Sequence, residues 1–334
     1  MRTLVTGGTG LLGAAVVTAL RGTGRDPVVL VRDAERGRAL LGDVELVVGD
    51  VTETAVWDRA LPGVDAVVNC AAYLRDLLRP GASAEPLYRT NVIAVADLLA
   101  AATRHGVATV VQIGSNTALG SADGRRAVLD ETAPWRSAAI TPYSASKIAA
   151  EAVVAAHVAR GDGPRVPMIL PAWLIGPYDA APSSAGQLIR DIAKAALPGL
   201  PNVVLHPTDT RDVALACVAA LDDGESGRRY LVAGPAMSMP AVGAAIAAQV
   251  GSRAPVPLPP RVTLAAAVAM ERIAKITGRP AAASADAVRI LLSDARYGYA
   301  SSRTSAELGV SPRPFAETVT DSVAWLRAAG LLAG

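Results

Sequence analysis

Residues 3–13 read Thr3-Leu4-Val5-Thr6-Gly7-Gly8-Thr9-Gly10-Leu11-Leu12-Gly13: a short β-forming run, a glycine-rich turn and the start of an apolar helix. A strand that turns at once into a helix needs glycine where φ is positive, and a diphosphate approaches a backbone closely only where side chains are missing. The first helical amides and the helix dipole then favour the anion. Gly7, Gly10 and Gly13 stand at the three positions these tasks require, with Thr9, Leu11 and Leu12 supplying the backbone around them. Such a turn, closing the first strand of a βαβ unit, is expected to bind a dinucleotide.

The alternation continues outward from this turn. Strands are expected at Pro27–Arg32, Glu45–Val48, Ala66–Asn69, Thr109–Ile113 and Val166–Leu170, with helices near Thr54–Ala60, Glu85–His105 and Pro142–Arg160. This pattern predicts an α/β fold, a doubly wound parallel sheet of the Rossmann kind. After Leu170 the prolines 171, 177, 182, 198, 201 and 207 break the chain into loop-rich, pocket-forming pieces. A helix at Arg211–Leu221 and a strand at Arg229–Val232 then return to the sheet layers. The expected division is residues 1–170 as the dinucleotide-binding domain, with returning segments at about 201–234, and residues 171–200 and 235–334 as a smaller, interleaved substrate lobe. The proline-rich Val256–Pro260 reads as a stiff connector, followed by helices near Val262–Thr277 and Phe315–Ala328.

Composition narrows the function. The 334 residues suffice for about two domains, and 51% hydrophobic residues exclude disorder over the bulk of the chain. Lys and Arg number 32 against 30 Asp and Glu, with no basic block, so nucleic acid is not an expected partner. Cys70 and Cys217 lack partners at ligand or redox spacing, and His105, His157 and His206 lie far apart, so no metal is expected. Met1-Arg2 leads straight into the first strand, and Glu271 and Arg272 interrupt the most apolar stretch. Neither export nor a membrane span is expected, and the chain reads as cytoplasmic.

The second strand ends in Arg32, where a guanidinium suits the 2′-phosphate of NADP(H), with Arg36 or Arg38 as further contacts. Asp33 follows at once and offers the carboxylate that would instead hold the 2′-hydroxyl of NAD(H). NADP(H) is favoured. Farther on, Tyr143-Ser144-Ala145-Ser146-Lys147 sets a phenol and an ammonium one helical turn apart. Lowering a tyrosine pKa by about 3 units takes about 4 kcal/mol, and a neighbouring ammonium has the right sign. Lysine occurs only at 147, 194 and 275 in this arginine-rich chain, which sets Lys147 apart from a chance pairing. Ser115, delivered by the strand Thr109–Ile113, stands where ligands bind such sheets and is placed to orient a substrate carbonyl toward Tyr143; a helix cap or turn is the ordinary use of such a serine.

Taken in order, TGGTGLLG, Gly49-Asp50-Val51, Asn69-Cys70-Ala71-Ala72, Leu87-Tyr88-Arg89-Thr90-Asn91, Ser115, Tyr143/Lys147 and Leu170 to Pro177 carry a family likeness, as do Arg211 to Ala214, Tyr230 to Gly234 and the tail from Ser305 to Trp325. Over essentially its whole length the chain resembles the extended short-chain dehydrogenase/reductases, the NAD-dependent epimerase/dehydratase superfamily. Its nearest look is to the dihydroflavonol-reductase-like and hopanoid-associated sugar-epimerase-like branches. The resemblance implies that Asp50 and Val51 hold the adenine, Ala71 lines the cofactor groove and Pro171 abuts the nicotinamide. It further implies Tyr143 as acid/base, Lys147 as its partner and a ribose ligand, Ser115 as carbonyl orienter, and Asn91 as support for the lysine through water. Tyr73, Asn116, Thr117 and Trp173 occupy positions that face substrate in relatives, and the helix containing Tyr143 belongs to a pair that forms their homodimer interface. Two departures matter. Ser115 is followed by Asn116-Thr117 where sugar-nucleotide 4,6-dehydratases carry an acidic pair, and Gly114 replaces a hydroxyl residue common in epimerases.

Three functions follow as expectations. The first is an NADPH-dependent reductase of an aldehyde or ketone in a small, rather apolar metabolite, suggested by the sparse charge between Pro171 and Leu200. The second is a nucleotide-sugar epimerase with tightly bound NAD(P). The third is a cofactor-binding regulatory protein without turnover.

Overall fold

Val28, Val29 and Leu30 form an unbroken buried run, as a strand covered by helices on both faces must. The computed structural model describes residues 1–74, 84–121, 128–137, 141–277, 285–295 and 297–333. In chain order its first half comprises β1 (Arg2–Thr6), α1 (Leu11–Gly22), β2 (Asp26–Val31), α2 (Ala34–Leu41), β3 (Glu45–Val48), α3 (Val56–Ala60), β4 (Ala66–Asn69), α4 (Glu85–Tyr88), α5 (Ala94–Arg104), β5 (Thr109–Ile113), β6 (Val128–Leu129), α6 (Pro142–Arg160) and β7 (Met168–Pro171). The remainder comprises β8 (Trp173–Ile175), α7 (Ser184–Ala193), β9 (Gly199–Pro201), β10 (Val204–Leu205), β11 (Pro207–Asp209), α8 (Thr210–Asp223), β12 (Arg229–Val232), β13 (Met237–Ser238), α9 (Met239–Val250), β14 (Val256–Leu258), α10 (Pro260–Thr277), α11 (Ala285–Asp294), β15 (Gly298–Tyr299), α12 (Ser302–Leu308) and α13 (Phe315–Ala328).

Seven strands form one parallel sheet in the order β12-β7-β5-β4-β1-β2-β3. The winding reverses between β1 and β4, which opens a crevice beyond their C-terminal ends, where sheets of this kind bind ligands. Helices α1 and α8 pack on one face around Val5, Val29, Val111 and Ile169, while α3, α5 and α6 cover the other around Leu4, Val67, Val110 and Leu170. The doubly wound reading of the sequence therefore holds. A third apolar cluster gathers α7, α9 and α13 around Ile175, Ile189, Ile246 and Phe315 and forms the smaller lobe. Arg313 fastens the tail to the sheet layers: its backbone N–H and Nε donate to the two oxygens of Asp212 on α8, at 2.9 and 2.7 Å.

Three details differ from the sequence reading. The helix expected at Glu85–His105 is α4 and α5 joined by a π-helical turn at Arg89–Ile93. The connector expected at Val256–Pro260 contains β14, paired in parallel with β9; Pro257 is tolerated in a two-stranded pair that leaves edges open. Asp33, offered as a ribose ligand, has a further role not read from the sequence: it is the N-cap of α2 and accepts from the Arg36 N–H at 3.1 Å. Among the described residues no helix is long and apolar enough to cross a membrane.

Candidate active site

The turn after β1 is tight because Gly7 adopts φ +64° and its carbonyl accepts from the Gly10 N–H at 2.9 Å. A Cβ on Gly7 would lie 2.9 Å from the Ala71 nitrogen, and one on Gly13 would lie 2.3 Å from the Gly7 oxygen, so only glycine fits either place. Gly10 caps α1 without a side chain, and no side chain claims the first-turn N–H groups. A bare, dipole-headed cradle bordered by Thr9, Leu11 and Leu12 fits the diphosphate of a dinucleotide. Ala71 lies against it, donating its N–H to Thr6 Oγ1 at 3.1 Å. Asp50 and Val51 follow β3, and Asp50 Oδ1 accepts from both the N–H and the hydroxyl of Thr52 at 2.9 and 2.8 Å.

Across the crevice, Thr141 caps α6 by accepting from the Ser144 N–H at 3.2 Å, and Pro142 fills the first turn, where its missing N–H costs nothing. This entry fixes Tyr143 in the first turn and Lys147 one turn later. Lys147 is 3% exposed, its Nζ donating to the Ile113 carbonyl at 3.2 Å and standing 5.7 Å from the centroid of the Tyr143 ring. Burial drives its pKa down to about 8, against the opposing pull of Glu151 and Cys70. Burial also pushes the Cys70 thiol up to about 12 despite Lys147, which leaves it a neutral neighbour at ordinary pH.

Ser115 extends from β5 and caps the 3-10 turn Asn116–Ala118, against which α6 packs. Its Oγ accepts from the Thr117 N–H at 3.2 Å and the Thr117 hydroxyl at 2.9 Å, and it donates to Asn116 Oδ1 at 3.4 Å. The ordinary capping role and the site position thus coincide in one serine. Asn91 sits in the π-helical turn, a distortion that recurs at functional sites. Its Oδ1 accepts from the Tyr73 N–H at 2.8 Å, and its Nδ2 donates to the Tyr73 carbonyl at 3.2 Å and to Ser146 Oγ at 3.1 Å. Asn91 therefore ties the segment after β4 to the helical turn that carries Lys147. Pro171 ends β7, buried, while Trp173 on β8 is directed to α7, donating to Ser184 Oγ at 3.3 Å.

A line of buried amides escaped the sequence reading. Thr6 donates to Asn69 at 2.6 Å, Asn69 to Gln112 at 2.8 Å, and Gln112 to the same Ile113 carbonyl that receives Lys147, at 3.0 Å. Register explains it, because Thr6 pairs with Asn69 and Asn69 with Gln112 across adjacent strands. The available signal was a polar residue at or next to the C-terminal end of each of three adjacent, mainly apolar strands.

Residues 3–233 match the NAD dependent epimerase/dehydratase family. Sterol demethylase protein B of Methylococcus capsulatus is 31% identical over 99% of this chain and 100% of its own length. The dTDP-glucose 4,6-dehydratase of Mycobacterium tuberculosis is 32% identical over 70% of this chain and 72% of its own, and the UDP-glucose 4-epimerase of Azospirillum brasilense 32% over 62% and 60%. Among solved structures, that of gox2253 superimposes with a TM-score of 0.81 at 30% identity over 99% of both chains. MoeE5 in complex with UDP-glucuronic acid and NAD has a TM-score of 0.74 at 23% identity, covering 98% of this chain and all of its own. The Thermus thermophilus UDP-glucose 4-epimerase complex with NAD has 0.74 at 22%, covering 98% of this chain and all of its own.

The chain belongs to the NAD dependent epimerase/dehydratase family and is an enzyme of its NAD(P)-using kind. Two expectations are corrected. NADPH-dependent reduction of a small apolar carbonyl compound gives way, because the matched proteins include nucleotide-sugar epimerases and dehydratases, and solved complexes of this fold hold NAD with nucleotide sugars. The preference for NADP(H) falls with it, since the dinucleotide in those complexes is NAD. The physical reason lies at the end of β2. Arg32 is exposed and makes no hydrogen bond or ion pair among the described residues, and the Asp33 carboxylate beside it would repel a 2′-phosphate.

Proposed function

We propose that the protein is an NAD-dependent epimerase acting on a nucleotide sugar, with tightly held cofactor. The observation that carries this reading is the buried Lys147 one turn from Tyr143, beside a Ser115 that is followed by Asn116-Thr117. The Lys147 ammonium favours the Tyr143 phenolate, which takes the proton from a substrate hydroxyl and later gives it back. Ser115 donates to the oxygen as it becomes a carbonyl, and Asn91 keeps the turn bearing Lys147 in place. Gly7, Thr9, Gly10, Leu11, Leu12 and Gly13 would hold the diphosphate of NAD, Asp50 and Val51 its adenine, and Ala71, Lys147 and Pro171 its nicotinamide half. A bound NAD would supply a reversible hydride acceptor at the carbinol carbon, and epimerisation follows when the resulting ketone turns its other face before the hydride is restored. Elimination of water is disfavoured because no carboxylic acid follows Ser115 to take a neighbouring C–H proton.

The test is to denature the purified protein, identify the released dinucleotide, and incubate native protein with UDP- and dTDP-hexoses without added cofactor. Epimer formation followed by NMR, abolished in Tyr143→Phe, is expected. Full epimerisation by Tyr143→Phe, or none by the wild-type protein across the panel, overturns the proposal.

A second reading is NAD-dependent oxidation of an apolar carbinol of sterol type. It is favoured by the end-to-end match to sterol demethylase protein B and by Arg190 and Lys194 being the only cations between Pro171 and Leu200 to meet a diphosphate. Steady NADH formation from sterols, with no sugar-nucleotide epimer, would select it.

A further inference from the structure

Glu151 lies one turn beyond Lys147 on α6, so Tyr143, Lys147 and Glu151 follow one another at spacing i, i+4, i+8 on one helix face. It is 2% exposed. A carboxylate so deeply buried needs partners, and Glu151 has them on one oxygen only. Oε2 accepts from Trp135 Nε1 at 2.7 Å and meets the Arg229 guanidinium of β12 at 2.9 Å. Oε1 has no hydrogen-bond partner among the described residues. This second oxygen stands just past the end of β5, 3.5 Å from where a Cβ on Gly114 would be, and Gly114 directly follows Ile113, whose carbonyl receives Lys147.

The geometry points to Glu151 as a positioning residue for the proton-handling pair: its unclaimed oxygen supplies the negative charge that keeps Lys147 an ammonium inside the sheet–helix interface. This inference rests on the reading of Tyr143 and Lys147 given above. The charged and titratable groups around the pair are few. Lys147 faces Tyr143 and Glu151 on its own helix and Cys70 after β4; Glu151 faces Lys147 and, from β12, Arg229. Cys70 stays a thiol, so Glu151 is the carboxylate that acts on Lys147 whether Tyr143 is phenol or phenolate. Burial lowers the lysine and raises the carboxyl, while each opposes the other's loss of charge. Arg229 and Trp135 favour the ionised carboxylate, opposing the burial that raises its pKa.

The experiment uses the low lysine content. With only Lys147, Lys194 and Lys275, protein labelled with carbon-13 at lysine Cε gives three signals, and Lys147→Arg identifies one of them. In wild-type protein the Lys147 signal is expected to titrate near 8, with a second inflection at lower pH as Glu151 gains its charge. In Glu151→Gln the main midpoint falls by about one pH unit, and Glu151→Asp restores most of it. The alkaline limb of the activity profile moves in the same sense. A Lys147 midpoint unchanged in folded Glu151→Gln overturns the inference, and so does a wild-type titration without the lower inflection, which needs no variant to fold. Absence of epimerase activity alongside the expected NMR shifts would instead count against the proposed reaction alone.

Discussion

Replacing Lys147 with methionine should stabilise the fold while sharply lowering turnover. The side chain is 3% exposed, and its pKa falls from 10.5 to about 8, so the folded protein binds its proton less well than the unfolded chain. That gap corresponds to roughly 3 kcal/mol of destabilisation at pH 7, where the ammonium is carried into the interior. Above pH 8 the folded protein releases the proton while the unfolded chain keeps it, so stability rises with pH until about 10.5. Methionine has nearly the shape of the lysine stem and no charge to desolvate. Against the wild type, Lys147→Met is expected to gain about 1–2 kcal/mol in urea unfolding at pH 7, the rest of the full term being lost with the bond to Ile113 and with the support Lys147 gives the buried Glu151. By pH 9.5 the advantage should shrink by about 2 kcal/mol, because the wild type has by then shed most of its penalty. Turnover should fall by about 10²-fold or more. A variant less stable than wild type at pH 7, or an advantage that does not vary with pH, would show that the lysine is not held at a cost.

Further outcomes follow from the same contacts. Gly13→Ala puts a methyl carbon 2.3 Å from the Gly7 oxygen, so the purified variant should lose its bound dinucleotide, measured by absorbance of the denatured extract, while circular dichroism keeps its αβ signature. Asn91→Ala removes bonds to the Tyr73 N–H and carbonyl and to Ser146, a loss of about 2–3 kcal/mol visible in thermal melts. Ser115→Ala should lower turnover about 10-fold to 100-fold with dinucleotide content unchanged; an unaffected rate would remove the serine from the chemistry.

The glycine turn was legible because everything it needs is contiguous, and the Tyr143–Lys147 pair because one helical turn brings it together. Partners far apart were not. Asn69 and Gln112 are 43 residues apart and meet only through strand register, and Glu151 finds Arg229 only once β12 lies beside β7. The π-helical turn left no mark, since one inserted residue hardly disturbs an apolar pattern as long as Glu85–His105. Asp33 carries two uses that a linear reading does not separate: the carboxylate offered as a ribose ligand of NAD(H) is also the group that starts a helix. Helix α7 hid among prolines, although Ser183 caps it through Gly186.

The bulge at Arg89–Ile93 makes chain length itself a constraint. Deleting any one of its five residues would let the coil run regularly, swinging everything on the upstream side by about 100° relative to the rest. Asn91 would then no longer span from Tyr73 to Ser146. Here the spare residue is the feature, and length-preserving substitutions at its positions other than Asn91 should be tolerated where a single-codon loss is not.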